Sequence, residues 1–437
     1  MSERTLPLSE PRSAAQRRLY TPNFDAYLLI AVLVLCAIGF LMVFSASISA
    51  SFLATDDEST SYFFTRHVRN FAVGALFMGA LYFIDYRIWK RFSLWILLIT
   101  IAALGIVLQF GDQRLAAQRA LFEGSVQPGE FAKLAVVIYM AAWLSGRQRQ
   151  LKRISYGLLP FSILLGATCI LLVLQPDLST AAVILATTLT MFFLAGADLF
   201  QLGAITSGAG VGGYLLVTRL EYARSRIDGH LAAIQDLTKA NDHVQAAVEA
   251  FLNGQLFGVG LGEGTQKFGR LPFPHTDSIF AVIGEELGLV GALLVLGLFV
   301  VLVYRGFLVA KAAPDLFGAL LASGICLWIT YDAMLNIAVM TALVPPTGVP
   351  LPFISFGGSS LVTAMAGIGL VLSVSRQSSR VSTVESRSER GVSLPMDNKL
   401  KETESSEMGI QTGESPGVSR GYRRGHISRV SRRDHDA

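Results

Sequence analysis

Several ionisable or strongly polar side chains of this sequence stand inside long apolar runs or at their ends. Asp277 precedes one such run, within residues 274–280 (Pro-His-Thr-Asp-Ser-Ile-Phe), and Glu285 follows about two turns later. Asp332 and Asn336 lie inside another run. Such groups are costly within a membrane and usually mark a functional site. Asp277 is therefore the first candidate for acid–base chemistry.

Asp277 admits two interpretations. A carboxylate in a partly dry cavity at the end of a helical bundle is a credible general base. Asp is also a favoured helix N-cap, where the helix dipole stabilises its anion. Weighed on the residues alone, the cap is the simpler interpretation, and the base stays open beside it.

Glu130 and Lys133 begin a further apolar run and share a helical face at i,i+3 spacing. They could neutralise each other, which would leave the anion of Asp277 to the helix dipole. Alternatively, Lys133 reaches Asp277 across the bundle and holds it ionised.

The remaining polar positions have structural interpretations. Asp177, in Gln-Pro-Asp, could close a tight turn through its own side chain. His275 could be a packed loop residue, although an ordinary pKa near 6.5 would let it titrate near neutral pH. Glu285 and Asn336 could bond to neighbouring helices.

Composition indicates an all-α polytopic membrane protein. Of the 437 residues, 52% are hydrophobic and only 16% are charged, compared with about 25% charged residues in soluble domains. Runs of about 20 apolar residues are long enough to cross a bilayer. Ten transmembrane helices are predicted, at about residues 26–47, 68–85, 92–110, 130–146, 157–174, 179–196, 200–218, 278–304, 315–343 and 358–375.

Charge in the short loops predicts the orientation. Lys and Arg cluster after the second, fourth and eighth spans, on the side that also carries both termini. Basic short loops face the cytoplasm. Residues 1–24 and 376–437 are then cytoplasmic tails, the longer one disordered because it contains few groups that could form a core, and residues 25–375 form the membrane domain.

Two outward segments stand out. Residues 345–360 are dense in Pro and Gly, which no lipid-facing helix tolerates; irregular backbone at membrane depth survives only where it is buried or lines a wet cavity. Residues 219–277 form a large loop between the seventh and eighth spans that is rich in Lys and Arg. That loop is either an ordinary solvated surface or a basic surface that attracts a phosphate-bearing substrate.

These segments carry a resemblance. Four motifs occur in one ten-span chain. In chain order they are Gln175-Pro-Asp177, Gly258-Val-Gly-Leu-Gly-Glu-Gly-Thr-Gln-Lys-Phe-Gly269, His275-Thr-Asp277 with Ile283-Gly-Glu-Glu-Leu-Gly288, and residues 345–360. Together they resemble the SEDS family (shape, elongation, division and sporulation), and its cell-division branch more than its rod-shape branch. The similarity runs from about residue 25 to residue 375.

The resemblance implies an enzyme that polymerises lipid II into peptidoglycan glycan strands on the outer face of the bacterial cytoplasmic membrane. Asp277 matches the family's essential aspartate, which makes the general base the favoured interpretation. Glu130 and Lys133 match its Glu-x-x-Lys pair. The implied supporting residues are Lys133, Glu130, Asp177, His275, Glu285 and Asn336. The implied substrate contacts are Arg119, Arg224, Arg226, Lys267, Gln266, Ser355, Gly357, Gly358 and Ser359.

The implied reaction is an inverting glycosyl transfer with undecaprenyl pyrophosphate as the leaving group. It requires positive charge at the pyrophosphate and a groove open to lipid for the prenyl chain. A divalent cation could share the charge, although no dedicated metal cage is evident. Implied partners are lipid II, a class B penicillin-binding protein and other division proteins at the septum; no nucleic acid is expected.

Asp332 is a departure, because division members often carry Gln there, and a buried Asp must pair or take up a proton.

Two other functions compete with the polymerase. A lipid II flippase would also have many spans and intramembrane charges, but it needs a polar path to both sides. A scaffold that recruits a transpeptidase is compatible with the enzyme. A polymerase of the elongation branch is the alternative within the family.

Overall fold

The computed structural model describes residues 24–54, 59–110, 112–114, 117–120, 127–147, 151, 158–235 and 242–388. Most of the two predicted tails, 1–24 and 376–437, lies outside these residues. The chain divides into a unit that ends at Thr383 and a second unit, of which only residues 384–388 are described.

The described residues are helical apart from one short hairpin. In the first half they form α1 (Ala26–Ala54), α2 (Tyr62–Phe83), α3 (Arg87–Phe110), the strands β1 (Asp112–Arg114) and β2 (Ala117–Ala120), α4 (Pro128–Gly146), α5 (Leu158–Leu174) and α6 (Leu178–Leu194). The second half contains α7 (Leu199–Arg219), α8 (Glu221–Gln235), α9 (Asp242–Gly254), α10 (Ile279–Glu286), α11 (Gly288–Ala312), α12 (Leu316–Met340) and α13 (Gly358–Ser388).

The predicted helical membrane architecture is confirmed in its coarse form. Among the described residues, six helices are long and apolar enough to cross a membrane, namely α1, α3, α7, α11, α12 and α13, and α5 and α6 contain shorter apolar helices. Helices α2 and α4 occupy two further predicted spans. The count of ten spans stays a prediction.

Helices α12 and α13 lie at the centre of the bundle. In the apolar stretches of α12 and α13, 78% and 83% of the residues are buried. In the apolar stretch of α7 only 6% of the residues are buried, so α7 lies at the periphery. Helix α12 packs against α4, α6 and α11. An element at the centre is positioned by several neighbours at once, so α12 is suited to hold polar groups in place.

The segment 219–277, predicted as a long loop between two spans, contains two helices, α8 and α9. Helix α9 places Val244, Ala246, Ala247 and Ala250 in the interior while its other residues are more exposed. It is therefore an amphipathic helix docked on the bundle, too polar and too short to be recognised as a span.

The predicted span 278–304 is wrong as one helix, because the chain breaks between α10 and α11. Gly288 has a φ of +68°, a conformation that favours glycine. Residues 255–260 fill the break: Val259 N–H donates to the Glu285 carbonyl at 3.0 Å, and Leu289 N–H donates to the Gln255 carbonyl at 2.9 Å. The backbone groups released by the break are thus satisfied by another segment.

Replacing Gly288 by Ala should destabilise the fold. A Cβ there would overlap the backbone of Leu256 and Gly258, and the positive φ adds a cost of about 1–2 kcal/mol. We expect a clear fall in the thermal unfolding midpoint of the purified protein in detergent. The control is Gly297→Ala in α11, where a Cβ meets no atom within 4 Å; equal midpoints for the two variants would contradict this account of the break.

Candidate active site

Asp277 lies in the turn that leads into α10, and its side chain is half-buried. The N-cap residue of α10 is Ser278, so Asp277 precedes the cap position. The Asp277 carbonyl accepts a hydrogen bond of 2.8 Å from the Asn336 side-chain amide, and the same amide nitrogen donates to the Val349 carbonyl at 2.7 Å. Asn336 on α12 therefore joins the Asp277 turn to the Pro- and Gly-rich segment.

Further bonds join these two irregular segments. Ser355 Oγ donates to the Thr276 carbonyl at 2.7 Å, and Phe356 N–H donates to the His275 carbonyl at 2.8 Å. Gly348, with a φ of +76°, lies beside the Asp277 carboxylate: a Cβ there would be 3.3 Å from Oδ2. Ser355, expected to contact substrate, is buried and positions the turn.

Lys133 is shared between two carboxylates in the interior. Its Nζ lies 3.0 Å from Glu130 and 2.7 Å from Asp332, and all three side chains are buried. Trp328 Nε1 also donates to Asp332 at 2.7 Å. Of the two sequence alternatives, Lys133 thus pairs with Glu130, and its second partner is Asp332 on α12. The departure at position 332 is explained by this ion pair.

A second buried ion pair corrects the expectation for Lys267. Its Nζ lies 2.6 Å from Glu286, 2.8 Å from Ser45 Oγ and 2.7 Å from the Gly262 carbonyl, and the side chain is buried. This ammonium holds the loop to α10 and α1. Its charge is thus directed to Glu286 in the interior and not to solvent.

Glu285 fixes the same loop. Its carboxylate accepts hydrogen bonds from Thr265 N–H at 3.0 Å and from Gln266 N–H at 3.2 Å. Gln266 is buried, and its amide donates to Glu249 at 3.3 Å. Glu285 therefore bonds mainly to a loop rather than to neighbouring helices, and Gln266 faces inward.

His275 packs in an aromatic cluster. Its ring centre lies 4.5 Å from that of Phe63 on α2 and 5.7 Å from that of Phe356. Burial lowers the pKa of His275 to about 4, so the ring is neutral at neutral pH. The expectation that it titrates near neutrality is wrong, because solvent no longer stabilises the charged form.

Asp177 caps α6, where its carboxylate accepts a hydrogen bond of 3.3 Å from Thr180 N–H. Two residues on, Ser179 Oγ donates to the Thr347 carbonyl at 2.9 Å. The first turn of α6, which Asp177 caps, thus contacts the Pro- and Gly-rich segment.

The outward arginines do not converge on the turn in any described contact. Arg224 is exposed on α8 and pairs with Asp228 at 3.5 Å, and Arg226 lies over the ring of Tyr222. Arg119 belongs to β2, and its side chain is outside the described part of the chain.

A groove of about 890 Å³ runs between α2, α3, α4 and α13. Most of its lining is apolar, including Phe77, Ile99 and Leu370. One end carries Phe63, Arg66, Arg69, Asn70, Phe356, Gly358 and Ser359. Phe63 and Phe356 are the residues that pack on His275, so this end adjoins the Asp277 turn. Gly357 lies in the sequence between Phe356 and Gly358, which both line this end of the groove.

Arg66, Arg69 and Asn70 were missed by sequence reasoning. Arg69 lies inside the predicted span 68–85. The rule that ionisable residues within spans usually mark functional sites, which identified Asp332, would also have identified Arg69. Arg66 lies one turn before it on the same face of α2.

Comparisons with known proteins agree with this architecture. Residues 26–380 match the family model FTSW_RODA_SPOVE, described as cell cycle protein. The chain is 38% identical to stage V sporulation protein E of Bacillus subtilis, over 81% of the chain and 97% of that protein. It is 37% identical to a probable peptidoglycan glycosyltransferase FtsW of Trichlorobacter lovleyi, over 81% and 93%.

Solved structures show the same fold. A chain from work titled "Structural coordination of polymerization and crosslinking by a peptidoglycan synthase complex" matches with a TM-score of 0.66 at 28% identity, over 81% of this chain and 98% of that one. The rod shape determining protein RodA of Thermus thermophilus matches with a TM-score of 0.60 at 28% identity, over 82% and 99%.

The chain therefore belongs to the FtsW/RodA/SpoVE family, the SEDS family indicated by the sequence motifs, and it is a multi-pass membrane protein.

The charge count of the Lys133 cluster generates a prediction. Lys133→Met leaves Glu130 and Asp332 as two buried carboxylates without a cation, which should cost about 3–5 kcal/mol. Asp332→Asn leaves one cation with one anion and should be tolerated within about 1 kcal/mol. Thermal unfolding of the two purified variants tests this order; an Asp332→Asn protein that unfolds at a lower temperature than Lys133→Met would contradict it.

Proposed function

We propose that this protein polymerises lipid II into glycan strands, with Asp277 as the general base. The observation that carries the proposal is the position of Asp277 on a turn braced by α12 and by the Pro- and Gly-rich segment, beside the polar end of a lipid-sized groove. Family membership supports the reaction class, because relatives at 36–37% identity are named probable peptidoglycan glycosyltransferases.

The reaction is an inverting glycosyl transfer. A hydroxyl oxygen of one lipid II forms a bond to the anomeric carbon of another, and the bond from that carbon to the pyrophosphate oxygen breaks. The pyrophosphate leaves with the bonding electron pair, while the Asp277 carboxylate takes the hydroxyl proton. A base held at fixed geometry gains from orientation as well as from proton transfer.

The groove supports a prenyl-linked substrate. Its lining residues run from Phe63 to Ile84 along α2, which at 1.5 Å per residue is about 30 Å, the thickness of a hydrocarbon core. Arg66 and Arg69 lie at the end near Asp277. They are suited to the departing pyrophosphate by charge and donor geometry. We propose them for this role beside the sequence candidates Arg119, Arg224, Arg226 and Lys267.

Contacts at the opposite, predicted cytoplasmic, ends of the helices disfavour flipping. Asp25 beside α1 pairs with Arg305 of α11 at 2.6 Å. Asp315, the N-cap of α12, accepts from Tyr86 Oη at 2.7 Å and pairs with Arg87 at 3.0 Å. These contacts join four helices where a flippase would need an opening for the headgroup.

The biological setting follows from the relatives. Matches named FtsW and stage V sporulation protein E favour a role in division or a related process over elongation. A class B penicillin-binding protein is the expected partner at the septum of the cytoplasmic membrane. A divalent cation is a candidate aid to the pyrophosphate, and assays with and without Mg²⁺ bear on that role.

The decisive experiment is polymerisation of lipid II by purified protein in liposomes, with its transpeptidase partner where activity requires one. Asp277→Asn should abolish strand formation, because the amide cannot accept the proton. Glu263→Gln, an exposed acid of the same outward region, should retain activity. Strands made at the normal rate by Asp277→Asn protein would overturn the assignment, and lipid II that crosses the bilayer without polymer would favour the flippase.

Variants of the groove should affect substrate binding. We expect Arg66→Ala to raise KM for lipid II by about tenfold, since a charged hydrogen bond contributes about 1.5–3 kcal/mol. Ala80→Phe should raise it by obstructing the groove. Leu76→Phe is the matched control, because Leu76 is exposed on the same helix without lining the groove; similar KM values for the two Phe variants would contradict the groove assignment.

A further inference from the structure

Helix α9 contacts the turn that carries Asp277 through His243. Its Nε2 lies 2.7 Å from Ser278 Oγ, and Ser278 is the residue directly after Asp277. Ser278 Oγ also lies 2.6 Å from the Pro272 carbonyl. Ser278 is fully buried, with 0% of its surface exposed, so water does not substitute for either partner.

The proton count of these three groups assigns their roles. A hydroxyl has one proton, and a carbonyl only accepts. Ser278 must therefore donate to Pro272, and the hydrogen bond from His243 must be donated by Nε2–H. Burial lowers the pKa of His243, which favours the neutral ring, and the hydrogen bond to Ser278 requires the proton of that ring to be on Nε2.

We propose that His243 is a positioning residue for Asp277, which acts by donating Nε2–H to Ser278 Oγ and thereby fixing the turn from the side of α9. The proposal rests on the proposed function, since it assigns a support to the proposed base. Ser278 is the N-cap residue of α10, but its side chain makes no capping bond; its hydroxyl bonds to His243 and Pro272 instead. The hydroxyl therefore serves the turn rather than the helix.

The Asp277 turn is then fixed by hydrogen bonds from two different helices. Asn336 of α12 binds its carbonyl, and His243 of α9 binds its neighbour. Helix α9 is itself anchored, because Glu249 pairs with Arg270 at 2.9 Å and Val244 packs against Ala342. A displacement of about 1 Å at a reacting group can lower a rate by about 100-fold, so the loss of one support should be measurable in kcat.

Two substitutions of one residue separate positioning from bulk. Gln places its amide nitrogen near the position of Nε2, whereas Asn places its nitrogen near Nδ1 and cannot reach Ser278. We expect His243→Asn to lower kcat about tenfold, with KM for lipid II within about twofold of the normal value, as for the loss of one hydrogen bond. His243→Gln should recover most of the rate.

Ser278→Ala provides the partner test. If the two residues act through one bond, Ser278→Ala and His243→Asn should each lower kcat, and the double variant should be no slower than the slower single variant. Independent, multiplying losses would overturn the proposal, as would a His243→Asn protein with normal kcat.

A spectroscopic measurement reads the protonation of His243 in the unmodified protein, and a variant is needed only to assign its signals. In ¹⁵N-histidine-labelled protein, with the His243 signals assigned by their absence from His243→Gln protein, we expect a protonated Nε2 and an unprotonated Nδ1 at neutral pH. A proton on Nδ1 alone would overturn the proposal.

An Asp277→Asn protein assayed in parallel distinguishes failure of the His243 proposal from failure of the proposed base. An inactive Asp277→Asn protein beside a fully active His243→Asn protein rejects only the role of His243. An active Asp277→Asn protein rejects the base itself.

Discussion

The architecture of the site depends on one side-chain amide. Asn336 binds the carbonyls of Asp277 and Val349, which belong to two irregular segments far apart in sequence. Irregular backbone within a membrane protein is stable only where its polar groups find internal partners. Asn336 is buried in the bundle, one turn from Asp332 on α12. The Lys133 cluster that ties α12 to α4 therefore also anchors the residue that holds the Asp277 turn.

The internal charges of this protein mostly satisfy one another. Lys133 is neutralised by Glu130 and Asp332, and Lys267 by Glu286. A buried ion pair stabilises little by itself, but removal of one member leaves a costly charge, so such pairs constrain helix positions strongly. Cations consumed in this way are not available to a substrate phosphate. The arginines at the mouth of the groove lie among its lining residues, which favours them over Lys267 for the proposed contact with the pyrophosphate.

Sequence reasoning predicted features whose signal is local. Long apolar runs predicted the helices, and i,i+3 spacing gave the Glu130–Lys133 contact as one of two alternatives. The break at Gly288 was missed because α10 and α11 are both apolar, and because the backbone segment that stabilises the break lies about 30 residues earlier in the chain. Asp332 lies 199 residues from Lys133, and no spacing rule connects them. Helix α9 was missed because its apolar face is short and its other residues are polar.

The supports of Asp277 share a chemical feature that suits a base. Asn336 binds the backbone carbonyl of Asp277, and His243 binds the hydroxyl of the next residue. Neither of these two hydrogen bonds involves the Asp277 carboxylate. A support that donated to the carboxylate would stabilise its anion and lower its basicity. Fixing the backbone instead restricts where the carboxylate can lie and leaves its proton affinity to the surrounding site. In this proposal α9 restricts, through His243, the geometry of the proposed proton acceptor.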